Sequence, residues 1–272
     1  VIVDTHVHVV SPDETRHPLN PPGIGTEWFR VAPVSVEDYR ALMDDAGVDR
    51  AVLVQAFTAY GYDNRYVVAA ANHDPKRFVS VCIVDPDAEP GPALGRLVAQ
   101  HRAVGVRLFA IGNAALDSAP SDTVMTVARE LDVRVVVALL PPQLPQLEQL
   151  LARFPDVPVA LDHCGFPDLR DGPPYAGATS LFQLARFDNL HLKVTSNLLE
   201  RAPDPGALVD RLAATFGAER LLWGSDFPQT HDRPYRALVD LGREACAGLP
   251  DADRARVLGL NALRLWPALA GA

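Results

Sequence analysis

Cysteine is scarce in this sequence: three residues in 272, at positions 82, 164 and 246. An odd number spread so widely makes neither a disulfide framework nor a zinc-binding spacing, and a reducing cytoplasm is the expected compartment. No apolar run reaches the length that spans a bilayer. Positive charge is also short: 25 Lys and Arg against 34 Asp and Glu, a formal net charge of −9, with no basic stripe. Nucleic acid and anionic membrane surfaces are therefore not expected partners. No glycine-rich phosphate loop follows the first apolar run, so a dinucleotide-binding reading loses its main support. The first residues already read as a strand, so no leader peptide is expected in them. Because residue 1 is Val rather than Met, a few preceding residues are expected.

What the sequence does contain is a regular alternation. Hydrophobic residues make up 48% of the chain, enough for a sizeable core. Apolar, β-branched runs fall at 1–10, 51–57, 78–84, 104–109, 133–140, 158–163, 190–195 and 221–226. Helical patterns separate them. "SVEDYRALMDDAG" has Ser35 as cap, Asp38 three residues on, and Gly47 as stop. "DPGALVDRLAATFG" has Asp204 as cap, Pro205 in the first turn and Gly217 at the end. "SDTVMTVARELD" and "PQLPQLEQLLARF" fill two more places, and "DADRARVLGLNALRLW" reads as a closing helix. Eight strands that are apolar on both faces, each followed by a helix, predict an α/β fold: a (β/α)8 TIM barrel occupying residues 1–272 as a single domain. Two Pro-rich loops, 18–25 and 172–177, follow the first and sixth strands, on the face where such barrels build active sites.

Polar residues interrupt these strands at one end. "VIVDTHVHVV" places His6 and His8 two apart, and strand alternation puts Asp4 on their face. The second strand ends with Gln55, and Arg107 interrupts the fourth. Asp162 and His163 end the sixth, His191, Lys193 and Thr195 share a face of the seventh, and Asp226 ends the eighth. Each has an ordinary explanation alone, as a capped helix, a snorkelling lysine or a local ion pair. Repetition at the same strand ends argues for a common mouth. His6, His8, His163 and Asp226 make a ligand set suited to one divalent ion, zinc first. Asp226 is then the expected base for a water, with carbonyl polarisation by the ion or, without metal, by the three imidazoles. Arg107 and Lys193 in such a cleft favour an anionic small molecule. Gln55, at the end of strand two, and Tyr60 and His231, from the loops after strands two and eight, are further candidates for substrate contact, as is Tyr62. Cys164 beside His163 is not expected to pair with it, since neighbours on a strand face opposite ways.

The ordered pieces "DTHVH", "VALDHCGFP", "LHLKVTS", "LLWGSDFP" and "LGLNALRLW" resemble the amidohydrolase superfamily, in the TIM-barrel branch that holds dicarboxylate and sugar-acid lactonases. The resemblance covers essentially the whole chain. It implies a hydrolase in which His6, His8, His163 and Asp226 take the metal or oxyanion-and-base roles. Arg107 and Lys193 would then reach toward substrate. Arg107 stands where metal-rich relatives carry a bridging ligand, and guanidinium has no lone pair to offer. The fifth strand, "VVVALLPP", carries no histidine, so a binuclear site is not expected. The rival reading, a metal-dependent decarboxylase of an aromatic or unsaturated acid, wants a histidine where Lys193 stands. A barrel that binds a metabolite without turning it over is the non-enzymatic alternative.

Overall fold

The computed structural model describes residues 1–111 and 115–271. Eight parallel strands run in order around one sheet. They are β1 (Val3–Val7), β2 (Arg50–Val54), β3 (Phe78–Ile83), β4 (Gly105–Phe109), β5 (Arg134–Ala138), β6 (Val159–Leu161), β7 (Leu190–Thr195) and β8 (Leu221–Gly224). The principal helices between and after them are α1 (Val36–Ala46), α2 (Arg65–His73), α3 (Pro90–His101), α4 (Ala119–Glu130), α5 (Leu144–Arg153), α6 (Thr179–Phe182), α7 (Pro205–Phe216) and α8 (Tyr235–Ala245). This is the (β/α)8 barrel that the alternation predicts.

Closure at the β8–β1 seam is direct. Thr5 Oγ1 donates to the Trp223 carbonyl (2.7 Å), Asp226 N to the His6 carbonyl (2.8 Å) and His8 N to the Phe227 carbonyl (2.8 Å). Gly224 is required here: a Cβ would lie 2.9 Å from the His6 Cβ and backbone nitrogen. The seam thus draws the strand bearing two histidines against the strand that ends at Asp226.

Val3, Val52, Val54, Val79, Val81, Val136, Ala160 and Leu222 pack together inside the barrel with Leu265, Trp266 and Leu269 of the C-terminal segment. That apolar filling leaves the polar strand ends above it. The C-terminal segment is not the single closing helix expected. Asp251–Ala255 and Asn261–Leu265 are α-helical, but Arg256–Leu260 between them forms a π-helical turn. Gly259 approaches the Val1 carbonyl so closely that a Cβ would collide with it.

The expected caps at Ser35, Gly47 and Asp204 are present: Ser35 accepts from Asp38 N, Gly47 is left-handed, and Asp204 accepts from Ala207 N. Helix α4 starts two residues before "SDTVM", with Ser118 as its cap, because Pro120 suits a first turn whose amide needs no partner.

Candidate active site

Strand alternation does not survive in β1. Its register shifts between Asp4 and Val7, and the two polar residues part. Asp4 accepts hydrogen bonds from Tyr39 of α1 and Tyr235 of α8, in the helix layer. His6 instead meets Asp162 and Lys193. The expectation that Asp4 shares the histidines' face is therefore corrected: the irregularity turns Asp4 away from the site.

Asp162 is the hub of the site. Its Oδ2 accepts from Arg107 Nε (2.8 Å) and pairs with Nη2 (2.8 Å); its Oδ1 lies 3.0 Å from both His6 Nδ1 and Lys193 Nζ. Burial alone would raise this carboxyl. Lys193, His6 and Arg107 outweigh it and hold Asp162 well below the usual carboxylate range. An ionised carboxylate only accepts, so the His6 proton sits on Nδ1 and its lone pair on Nε2. His8 is fixed in the same way, because its Nδ1 lies 2.9 Å from the Val54 carbonyl, which has no proton to give. His163 Nδ1 is 2.8 Å from Thr195 Oγ1. All three rings stay neutral. Burial pushes His8 and His163 down to about 3, with Arg107 adding to the effect at both, and pushes His6 well below its ordinary value.

Asp226 stands opposite these rings with both carboxylate oxygens buried and without a hydrogen-bond partner, as is His6 Nε2. Its Oδ1 is 3.6 Å from His6 Nε2 and 3.8 Å from His8 Nε2, and its Oδ2 is 4.0 Å from His163 Nδ1. Burial raises this carboxyl well above its usual range. At His6 and His8, lone pairs therefore face the Asp226 carboxyl, where only a proton or a cation keeps acceptor from meeting acceptor. Buried acceptors arranged so call for something positive between them. His6, His163 and Asp226 offer ligand atoms all within 4.8 Å of one another, and His8 borders that group through Asp226. Carboxylate–imidazole pairing behind a ligating nitrogen, as Asp162 gives His6, is also what a metal-binding histidine uses. The residues fit a single divalent ion.

Lys193 is not at the mouth, contrary to expectation. It is fully buried, its ammonium is paired with Asp162, and burial lowers its proton affinity despite that partner. Gln55 is likewise corrected. Its amide donates to the Gly61 and Asp63 carbonyls and so organises the loop after β2. The Tyr60 hydroxyl accepts from Ser11 N, joining two loops rather than facing a ligand. His231 is exposed, its Nδ1 3.2 Å from the Gln229 carbonyl, and the structure does not bring it into the cluster. Arg107 does reach open space. With Tyr62, Ile83, Phe109 and Leu116 it lines a cavity of about 440 Å³ at the ends of β3 and β4. That cavity touches the polar cluster only through Arg107.

Aromatic rings cover the rest. Trp28 stacks on His8 at 5.7 Å between centroids, and its Nε1 donates to Thr58 Oγ1. Phe166 packs on His163 at 4.5 Å. The Arg107 guanidinium lies 5.1 Å from the Phe109 ring centroid. Sequence reasoning gave no role to Trp28 or Phe166, and treated Asp162 and Thr195 only as polar strand residues. Two signals were present. "EWFR" puts two large aromatics in a loop on the active-site face, and Lys193 is one of only two lysines in the chain, set in mid-strand. Cys164 is buried with its thiol pushed far up by desolvation, and no nucleophile is formed there.

An amidohydrolase family model matches residues 3–268. The chain belongs to the amidohydrolase family. Among relatives of this amidohydrolase, L-fucono-1,5-lactonase of Burkholderia ambifaria is 29% identical over 246 residues, covering 85% of this chain and 84% of that one. The 4-sulfomuconolactone hydrolase of Rhizobium radiobacter is 28% identical over 242 residues, covering 84% and 75%. D-galactarolactone isomerase of Agrobacterium fabrum is 29% identical over 280 residues, covering 95% and 88%. An amidohydrolase from Burkholderia multivorans, solved with bound zinc, shares the fold at a TM-score of 0.80 and 22% identity, over 98% of this chain and 99% of that one. Among the described residues no helix is long and apolar enough to cross a membrane.

Proposed function

We propose that this amidohydrolase opens a small carboxylated or polyhydroxylated lactone by attack of water on the ring carbonyl. The observation that carries this reading is the unpartnered Asp226 carboxylate facing neutral His6, His8 and His163, next to a cavity floored by Arg107. The two lactone hydrolases among its relatives support it.

His6, His8, His163 and Asp226 would hold one divalent ion, with zinc the first expectation from a set of imidazoles and a carboxylate. Bound there, the ion supplies Lewis acidity to a carbonyl oxygen. Asp226, whose proton affinity burial raises, takes the proton from the attacking water. It returns that proton to the ring oxygen as the carbon–oxygen bond breaks. Arg107 keeps guanidinium N–H groups beyond the two engaged by Asp162, and these grip an anionic or hydroxyl group of the substrate. Asp162 and Thr195 orient His6 and His163. A route without metal would need N–H donors at the His6 and His8 Nε2 atoms, where the observed hydrogen bonds leave lone pairs, so the tautomers favour the metal-assisted route. A decarboxylase reading wants a histidine where Lys193 stands, and the buried, paired Lys193 does not provide one. The fold is read as one domain throughout, and three free, buried cysteines suit the cytoplasm.

The test is a pH-indicator assay in weak, mildly acidic buffer against carboxylated lactones, sugar lactones and aromatic carboxylates. Acidification with a lactone supports the reading, because ring opening releases a proton from the new acid. Alkaline drift with a carboxylate overturns it in favour of decarboxylation. A lactone consumed with no change of pH overturns hydrolysis in favour of isomerisation.

A further inference from the structure

We infer that Asp4 is a positioning residue for Asp226: its carboxylate, braced from the helix layer, holds the β8–β1 seam so that Asp226 keeps the backbone conformation aiming it at the imidazoles. The inference rests on the reading of Asp226 as base and ligand given above.

Asp226 has φ of 60°, in the left-handed region, where a residue with a side chain stays only when its surroundings over-determine it. The bonds that do so converge on Asp4. Its Oδ1 accepts from Ser225 N (2.9 Å) and His6 N (3.1 Å), one amide from each side of the seam. Its Oδ2 accepts from the Tyr39 hydroxyl (3.0 Å) and the Tyr235 hydroxyl (3.1 Å). Four donors, from β1, from Ser225 just after β8, and from α1 and α8, thus meet on one fully buried carboxylate. Further bonds finish the frame: Phe227 N donates to Ser225 Oγ (3.0 Å), and Thr230 Oγ1 lies 3.2 Å from both the Ser225 and Asp226 carbonyls. Asp226 has a clamped neighbour on each side, while its own carboxylate has no partner to hold it. The direction of that carboxylate is therefore set by the backbone, and the backbone by Asp4. This gives a chemical reason for an acid in "DTHVH" that turns away from the site.

The experiment compares Asp4→Ala, Asp4→Asn and the milder Tyr39→Phe with the unaltered chain by amide hydrogen exchange and by zinc affinity in chelator competition. The Asp226 and His8 amides donate to the His6 and Phe227 carbonyls, acceptors that none of these substitutions removes. With Asp4→Ala, exchange at those two amides should quicken by roughly 100-fold, while Val106 and Val137, on β4 and β5, change little. Zinc affinity should weaken by about 10–100-fold, the usual effect of removing support behind a ligand. Asp4→Asn should restore both, because its oxygen accepts the two amides and its NH2 donates to the tyrosine hydroxyls. Uniform quickening across all strands, or unchanged exchange at Asp226, overturns the inference and leaves Asp4 a general stabiliser. Should Asp4→Ala not fold, Tyr39→Phe gives the same comparison at smaller amplitude. Should the unaltered chain bind no zinc, the metal reading of the site fails, and the exchange pattern alone still decides the role of Asp4.

Discussion

Replacing Asp162 by Asn removes the anion that, among the described residues, is ion-paired with both Arg107 and Lys193, and nearly preserves its shape. Lys193, fully buried, then loses its partner where water does not reach, while Arg107 keeps its edge on the cavity. Breaking a buried ion pair by deleting one partner costs about 3–5 kcal/mol. An independent limit comes from Lys193 itself, which escapes by losing its proton. From its ordinary value of 10.5 down to pH 7, that loss costs about 5 kcal/mol at 1.36 kcal/mol per pH unit, so the lysine's share cannot exceed this. At pH 9.5 the same escape costs only about 1.4 kcal/mol. The sign follows: a base whose folded proton affinity is depressed regains stability as pH rises from the folded value toward 10.5. Urea unfolding should therefore show the variant about 3–5 kcal/mol less stable than the unaltered chain at pH 7, with the gap narrowing at pH 9.5 by up to about 3 kcal/mol. Adding Lys193→Met to Asp162→Asn should recover part of the loss at pH 7 and flatten the pH dependence. A gap under about 1 kcal/mol at pH 7, or one indifferent to pH, would refute the account of Asp162 as the counter-ion of the site.

Asp226→Asn should lower turnover of a responsive lactone by at least about 1,000-fold while circular dichroism and the melting temperature stay close to the original; a folded variant with near-normal turnover would remove Asp226 from the mechanism. Acid should destabilise the protein through its buried neutral histidines. His8 and His163 titrate at about 3 and His191 at about 4 in the folded chain, all lowered chiefly by burial from 6.5. The unfolded chain takes up those protons first, so stability is intact above about 6.5 and is lost as pH falls toward the folded values. His191→Gln should recover roughly 1–3 kcal/mol at pH 4 relative to its effect at pH 7.5, read from paired urea titrations, and an equal effect at both would contradict the assignment. Zinc added to chelator-treated protein should raise the melting temperature, one ion per chain by calorimetry, and His6→Ala should abolish the rise; two ions per chain would contradict the single-ion site.

Some of the site could be read directly from residue order, because a barrel strand must present its C-terminal end to the mouth. His6, His8, Arg107, Asp162, His163 and Asp226 were all visible as polar residues at one end of apolar runs, and the structure gathers them around a common centre. Their partners were not legible. Asp162 is 156 residues from His6 and 55 from Arg107, and no local pattern says which strand-end groups will share a carboxylate. Lys193 was expected to face the substrate because its position on β7 is right. Only packing shows that the interior there is closed and that Asp162 takes up its charge. Gln55 and Tyr60 were expected to contact substrate, yet their hydrogen bonds tie loops together, since a polar group near an active-site loop serves equally well for either.

Hydrophobic period, helix caps and strand count are local properties, and they alone determined that this chain is a (β/α)8 barrel with its polar chemistry at one rim. Tertiary structure decided what alternation could not. A register irregularity in β1 turned Asp4 away from His6, left-handed backbone at His163 and Asp226 redirected two strand ends, and fixed acceptors set the imidazole tautomers. The physical reason is range. Period and propensity act over a few residues, whereas the charge, proton position and direction of a buried polar group depend on whatever the closed barrel brings within about 3 Å of it.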